Sequence, residues 1–252
     1  MTNWAHILTH QIVGGFSQEP EITAIHSFGS VNTSSFDQYS DLDLTLVSSD
    51  LRRTSKNIKT HLNKILEVSC CFVLYEHDDE AAYSFFFDGL TVFQKLDLGI
   101  VSSNQPELFQ GSKCLYTAAE PQLCKNSHII KFNQPQREHE VLDVFIGASR
   151  FIKYTRRNQP WGAYKFFNSF RELFLKKAFR LPQKETLGLE AFKKIDAEGK
   201  QFLDLIYASS QKDISQVYKK YLIVYRRRFI GAVSPSAERL MSQILELFGK
   251  KP

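Results

Sequence analysis

The sequence predicts an α+β chain in two parts: a mixed β-sheet domain over residues 1–133, followed by an all-α helical-bundle domain over residues 134–252. Three observations predict it. Short apolar runs with strand periodicity recur between residues 22 and 101, separated by stretches with helical spacing; such alternation gives a sheet with helices on its faces. Beyond about residue 136 strand alternation stops, and apolar residues recur only at three- and four-residue intervals. Between the two regimes, Pro106, Gly111, Pro121 and Pro135 break any period, which sets the domain link near the end of that stretch.

Each element has its own signal. Trp4, Ile7, Leu8 and Ile12 lie at helical spacing and predict an amphipathic helix over residues 4–13, ended by Gly14-Gly15. Ile22 to Phe28 reads as a first strand and Asp41 to Val47 as a second. Ser48-Ser49-Asp50 is an N-cap region for a helix running to about Glu67, and Val68 to Glu76 is a third strand. Tyr83–Phe87 and Thr91–Val101 form a hairpin turned at Asp88-Gly89. In the second half, Val141, Leu142, Val144, Phe145, Ala148, Phe151 and Ile152 mark one helix. A second runs from Trp161 through Phe174 until Pro182 stops it, and Phe202–Tyr207 mark a third. Asp213 is the expected N-cap of a fourth, with Val217, Tyr221, Leu222 and Tyr225 inward, and Ser234-Pro235 opens a last one reaching Phe248. The aromatic stripes of this half read as core.

Composition narrows the class. With 43% hydrophobic and 13% aromatic residues the chain can bury large cores, unlike polar, low-complexity disordered sequences. No apolar run approaches the roughly twenty residues of a membrane span, and no basic head followed by an apolar stretch opens the chain, so a cytoplasmic protein without a membrane partner is expected. Cys70, Cys71, Cys114 and Cys124 include no Cys-x-x-Cys pair, which points to core thiols rather than zinc ligands or a disulfide framework.

The chemistry concentrates in two stretches. Asp41 and Asp43 are separated by one apolar residue and followed by an apolar run, so at strand spacing both carboxylates leave the same face. Such a pair repels unless a cation lies between them, and a hard divalent ion such as Mg²⁺, which prefers oxygen ligands, is the usual occupant. Gly29-Ser30 ends the first strand; a glycine there lets backbone approach a ligand, and the following amide and hydroxyl can donate to phosphate oxygens. Asp97 also lies among apolar residues, in Gln94-Lys95-Leu96-Asp97-Leu98-Gly99, while Glu76 ends a strand and Asp88 precedes Gly89 in a turn. The plain structural reading makes Asp41 and Asp43 solvent-facing positions of an edge strand and Gly29-Ser30 a simple turn. Carboxylates on apolar strands, rarely buried without a partner, weigh against it.

Gly-Ser, a short spacer and Asp-x-Asp in an apolar strand together resemble the nucleotidyltransferase superfamily that contains DNA polymerase β and the antibiotic nucleotidyltransferases. The match falls on Gly29, Ser30, Asp41 and Asp43 within residues 22–101. The resemblance implies that residues 1–133 are a catalytic domain using Mg²⁺ and a nucleoside triphosphate, with ATP the first expectation. The resemblance also implies a third carboxylate on a later strand, with Asp97 the candidate and Glu76 or Asp88 the alternatives; it makes Asp41, Asp43 and Asp97 catalytic and metal-binding, and Gly29, Ser30 and Ser40 nucleotide-binding. The expected reaction moves a nucleoside monophosphate to a hydroxyl acceptor and releases pyrophosphate. In layout alone, the helical second half is most similar to the lincosamide and streptomycin-type enzymes.

Charge bears on the acceptor. Residues 1–133 hold 9 Lys and Arg against 15 Asp and Glu, a net −6, whereas residues 134–252 hold 23 against 12, a net +11. A half of that sign concentrates polyanions and is an odd surface to offer a polycationic aminoglycoside. Lys153, Arg156, Arg157, Lys165, Arg171 and the run Arg226-Arg227-Arg228 are candidate anion contacts, with a solvated helix face the favoured reading for any single one. The expected acceptor is a small-molecule hydroxyl, antibiotics included; RNA or protein acceptors, or an inactive nucleotide-binding member of the fold, are the alternatives.

Overall fold

Alternating leucines build the centre of the sheet. In a computed structural model, which describes residues 4–33, 35–103, 111–120, 123–126, 128–163, 167, 214–227 and 229–248, every second residue of Leu42–Ser48 and Leu96–Ser102 begins on the buried side. The chain divides into two compact units, Met1–Gln134 and Pro135–Pro252. The first unit contains α1 (Trp4–Phe16), β1 (Ile22–Phe28), β2 (Leu42–Ser48), α2 (Leu51–Ile65), β3 (Val68–Glu76), β4 (Glu80–Phe87), β5 (Leu96–Ser102) and β6 (Lys113–Thr117). The fold is α+β.

The six strands form one mixed sheet in the order β3-β4-β5-β2-β1-β6. The β2–β5 pair is parallel and every other pairing is antiparallel. Leu42, Leu44 and Leu46 of β2, Leu96, Leu98 and Ile100 of β5, Ile25 of β1 and Tyr83 and Phe85 of β4 pack with Leu8, Ile12 and Phe16 of α1 and Leu51, Ile58 and Leu62 of α2 in one core. The helices thus cover one face, and the alternate residues of β2 and β5 must leave by the other.

Local chemistry fixes the element ends. Asp50 caps α2 by accepting from Arg53 N at 2.9 Å. Helix α1 runs past Gly14-Gly15 to Phe16, whose ring is buried in the core and holds the last turn in place. β5 starts at Leu96, later than the hairpin arm expected from Thr91; residues 91–94 instead close a turn in which Gln94 N donates to Thr91 O at 2.9 Å. β6 was not expected within residues 102–135, and it pairs with β1 alone. At the opposite edge, Gln134 accepts from Val73 N at 3.1 Å and donates to Cys71 O at 3.2 Å, which satisfies part of the open rim of β3.

In the second unit the described elements are helical: α3 (Gln136–Arg156), α4 (Ile214–Arg227) and α5 (Pro235–Leu247). Ser234 caps α5 by accepting from Ala237 N at 3.2 Å, with Pro235 in the first turn, as its sequence implies. Phe145, Phe151, Tyr218, Tyr221 and Tyr225 are buried, so these aromatics are core. Arg156 donates to Leu247 O at 3.0 Å and fastens the ends of α3 and α5. Arg226 and Arg227 fall in the last turn of α4. The helices expected over Phe166–Phe174 and Phe202–Tyr207, the Asp213 cap, and Lys165, Arg171 and Arg228 lie outside the described residues. Among the described residues no helix is long and apolar enough to cross a membrane.

Candidate active site

The site grows from strand register. Asp43 of β2 is paired with Phe28 at the end of β1 and with Asp97 of β5, and Asp97 is paired with Ser84 of β4. Partners in register share a face, so these four residues form one row across the sheet on the side opposite α1 and α2. Asp41 immediately precedes β2, two residues before Asp43, and Lys95 holds the same relation to Asp97 on the neighbouring strand. Leu42 N donates to Lys95 O at 3.0 Å, which locks the two strand entrances together.

Carboxylate oxygens of Asp41, Asp43 and Asp97 converge to within 4.8 Å of one another. Of the three candidates for the third carboxylate, Asp97 is the one that joins Asp41 and Asp43. Glu76 serves elsewhere: its Oε1 accepts from the Tyr83 hydroxyl at 3.0 Å and from Phe132 N at 2.6 Å. Asp88 sits in the β4–β5 connection, its amide donating to Glu67 O at 3.0 Å.

Asp97 is held at both oxygens. The Ser84 hydroxyl donates to Oδ1 at 2.5 Å, and the Lys95 ammonium donates to Oδ2. The same ammonium lies 3.3 Å from Asp41 Oδ2, so it bridges two of the three carboxylates. Lys95 is 4% exposed, and among the described residues it is the one fully buried lysine. A buried ammonium without carboxylate partners would be very costly, so this pairing is a condition of the fold as well as of the site. Sequence reading passed over Lys95, although its period-two relation to Asp97 was available as a signal.

Gly29 opens a 3-10 turn, Gly29–Asn32, directly after β1. Its φ of +67° lies in the left-handed region, and a β-carbon built on it would stand 2.7 Å from Asp43 Oδ2. Only glycine satisfies both the conformation and the carboxylate next to it. Asn32 secures the turn against β1: its Oδ1 accepts from the Ser27 hydroxyl at 2.7 Å, and its Nδ2 donates to Ser27 O at 2.7 Å. Ser30 is partly exposed beside Gly29. Ser40 is fully buried in a turn, donating to Asp37 Oδ1 at 2.9 Å and accepting from Asp37 N at 3.0 Å. That turn sets the entry of the chain into Asp41.

The donor set is three carboxylate oxygens, with the Gly29 backbone packed close against Asp43. It fits a hard divalent cation such as Mg²⁺, and not a soft metal, which would want thiolate or imidazole ligands.

No protein-family model matches the chain, and no curated protein matches it in sequence. Solved structures similar to it include an aminoglycoside 6-adenyltransferase from Bacillus subtilis, at 11% identity and a TM-score of 0.33, covering 98% of this chain and 91% of that one. A spectinomycin adenyltransferase from Enterococcus faecialis, solved with ATP and spectinomycin, matches at 8% identity and a TM-score of 0.29 over 97% and 99% of the two chains. A nucleotidyltransferase-like protein from Exiguobacterium sibiricum matches at 9% identity and a TM-score of 0.24 over 98% and 77%.

Proposed function

We propose that this chain is a Mg²⁺-dependent nucleotidyltransferase that moves a nucleoside monophosphate, AMP from ATP, to a hydroxyl of a small molecule. The observation that carries the reading is the convergence of Asp41, Asp43 and Asp97 next to a glycine that a β-carbon would make unusable. Asp41, Asp43 and Asp97 would hold Mg²⁺, which when bound neutralises the triphosphate and the charge developing on the departing pyrophosphate.

The remaining roles belong to the chain itself. Gly29 and Ser30 present backbone and a hydroxyl to phosphate oxygens, and the Asn32–Ser27 bonds hold that turn still. The acceptor oxygen forms a bond to the α-phosphorus while the bond from that phosphorus to the bridging oxygen breaks, and pyrophosphate leaves with the electron pair. Asp97, whose orientation is set by Ser84, takes the acceptor proton where it acts as base rather than as third metal ligand. Ser40 positions Asp41 through its turn with Asp37. The domain boundaries in this reading are residues 1–133 for the catalytic part and 134–252 for the helical part. A cytoplasmic setting supplies the triphosphate and keeps the thiols of Cys70, Cys71, Cys114 and Cys124 reduced.

A second reading has one observation in its favour. The net +11 of residues 134–252 suits an RNA acceptor better than an aminoglycoside. Incubation with Mg²⁺ and α-labelled ATP, GTP, CTP or UTP against antibiotics, RNA and proteins separates the readings. Label on a small-molecule hydroxyl supports the first, and label on RNA with steep salt dependence supports the second. Transfer to nothing, with triphosphate bound, would leave a binding module.

A further inference from the structure

We infer that Lys95 is the site's own counter-ion: its ammonium holds Asp41 and Asp97 in position while no divalent cation is bound, and it is displaced from them when one binds. The inference rests on the metal reading proposed above. Three features lead to it. The ammonium occupies oxygens that a metal would need, Asp41 Oδ2 at 3.3 Å and Asp97 Oδ2. Asp97 Oδ1 accepts from the Ser84 hydroxyl, and Oδ2 is the atom the ammonium holds, so ammonium and metal compete there. The two cations also repel each other across a few ångströms of partly buried site.

Displacement needs little rearrangement. The Lys95 backbone stays fixed, because its carbonyl accepts from Leu42 N at 3.0 Å, while the four-carbon stem can rotate its charged end toward solvent. Asp41 and Asp97 side chains are 25% and 18% exposed, so the ammonium sits just beneath the surface and has a short way to move. Departure of Lys95 frees Asp97 Oδ2 for the metal or for the acceptor proton. Lys95 is therefore a positioning residue: in the resting chain it holds together carboxylates that would otherwise repel, and it sets a threshold that a bare cation must overcome.

The test titrates Mn²⁺ into the full chain without nucleotide, by calorimetry, for the parent, Lys95→Met, Lys95→Arg and Asp43→Asn. Lys95→Met is expected to bind Mn²⁺ at least tenfold more tightly than the parent and Lys95→Arg to bind like the parent. Lys95→Met should also melt at a lower temperature in EDTA and recover with Mn²⁺. A second measurement needs no variant: acetic anhydride labelling of parent Lys95, read by mass spectrometry, should be slow in EDTA and several-fold faster with saturating Mn²⁺. Should Lys95→Met bind no more tightly than the parent, or Lys95 stay protected in Mn²⁺, while Asp43→Asn abolishes binding, Lys95 is a structural ion-pair partner only. Binding that survives Asp43→Asn, or binding by neither parent nor Lys95→Met, removes the metal reading itself and this inference with it.

Discussion

Gly29 and Asp43 exclude any other residue at position 29: a β-carbon there would stand 2.7 Å from Asp43 Oδ2 on a backbone already at φ +67°. Gly29→Ala should therefore lose stability by about 1–3 kcal/mol from the left-handed conformation alone. It should also push Asp43 aside and weaken Mg·ATP binding. Urea unfolding and calorimetric titration check both parts. An alanine variant that unfolds and binds like the parent would return Gly29-Ser30 to a plain turn.

Gly99 has a different reason for being glycine. A β-carbon at that position would lie 2.9 Å from Thr45 Oγ1, its partner in the parallel β2–β5 register. Gly99→Ala should cost about 1–3 kcal/mol through crowding against Thr45, beside the carboxylate row on the same sheet face. Adding Thr45→Ala should recover much of that loss, because the two residues touch. A double-mutant cycle in urea with a coupling near zero would refute this contact.

Asp97→Asn separates base from ligand. As a base, Asp97 contributes on the order of 10²- to 10⁴-fold to kcat and little to Mg·ATP affinity. As a ligand, its loss lowers nucleotide affinity along with turnover. Single-turnover rates and a binding isotherm on the same preparation decide between these, and full turnover would remove both roles.

Alkaline pH probes the core. Burial and the neighbouring Glu76 carboxylate push the Tyr83 phenol above its ordinary pKa of 10.0, and burial does the same to Tyr218 and Tyr225. The folded state thus keeps protons that the unfolded chain releases above pH 10, so stability is full below that pH and falls as pH rises past it. Each such tyrosine can contribute up to about 1.4 kcal/mol of loss per pH unit. Tyr83→Phe should flatten the decline of stability above pH 10 in urea titrations. An unchanged slope would show that Tyr83 ionises as it does in the unfolded chain.

The parts of the fold that were legible in the sequence are those where burial writes a period. Val68–Glu76 was readable to its ends, and β2 was readable because Leu42, Leu44 and Leu46 all face the core. β6 was not readable, because Lys113–Thr117 is a half-exposed edge strand with one partner and no apolar alternation. Gly14-Gly15 misplaced the end of α1, since the packing of Phe16 outweighs the weak helix propensity of two glycines. At the site, aspartates on apolar strands stood out as unexplained charge. Lys95 did not, because a lysine beside Gln94 reads as solvated until the register with Asp41 is known. Asn32 looked like any polar loop residue, and only its two bonds to Ser27 distinguish it.

The central claim is that Asp41, Asp43 and Asp97 hold a divalent cation against a triphosphate. Crystals grown with Mn²⁺ and a non-hydrolysable ATP analogue, measured at the manganese absorption edge, test it most directly. The account predicts an anomalous peak about 2.1 Å from oxygens of Asp41, Asp43 and Asp97, with analogue phosphates beside Gly29 and the Lys95 ammonium withdrawn from Asp41 and Asp97. A site without manganese, with Lys95 still bridging Asp41 and Asp97 while the analogue binds elsewhere, would contradict it.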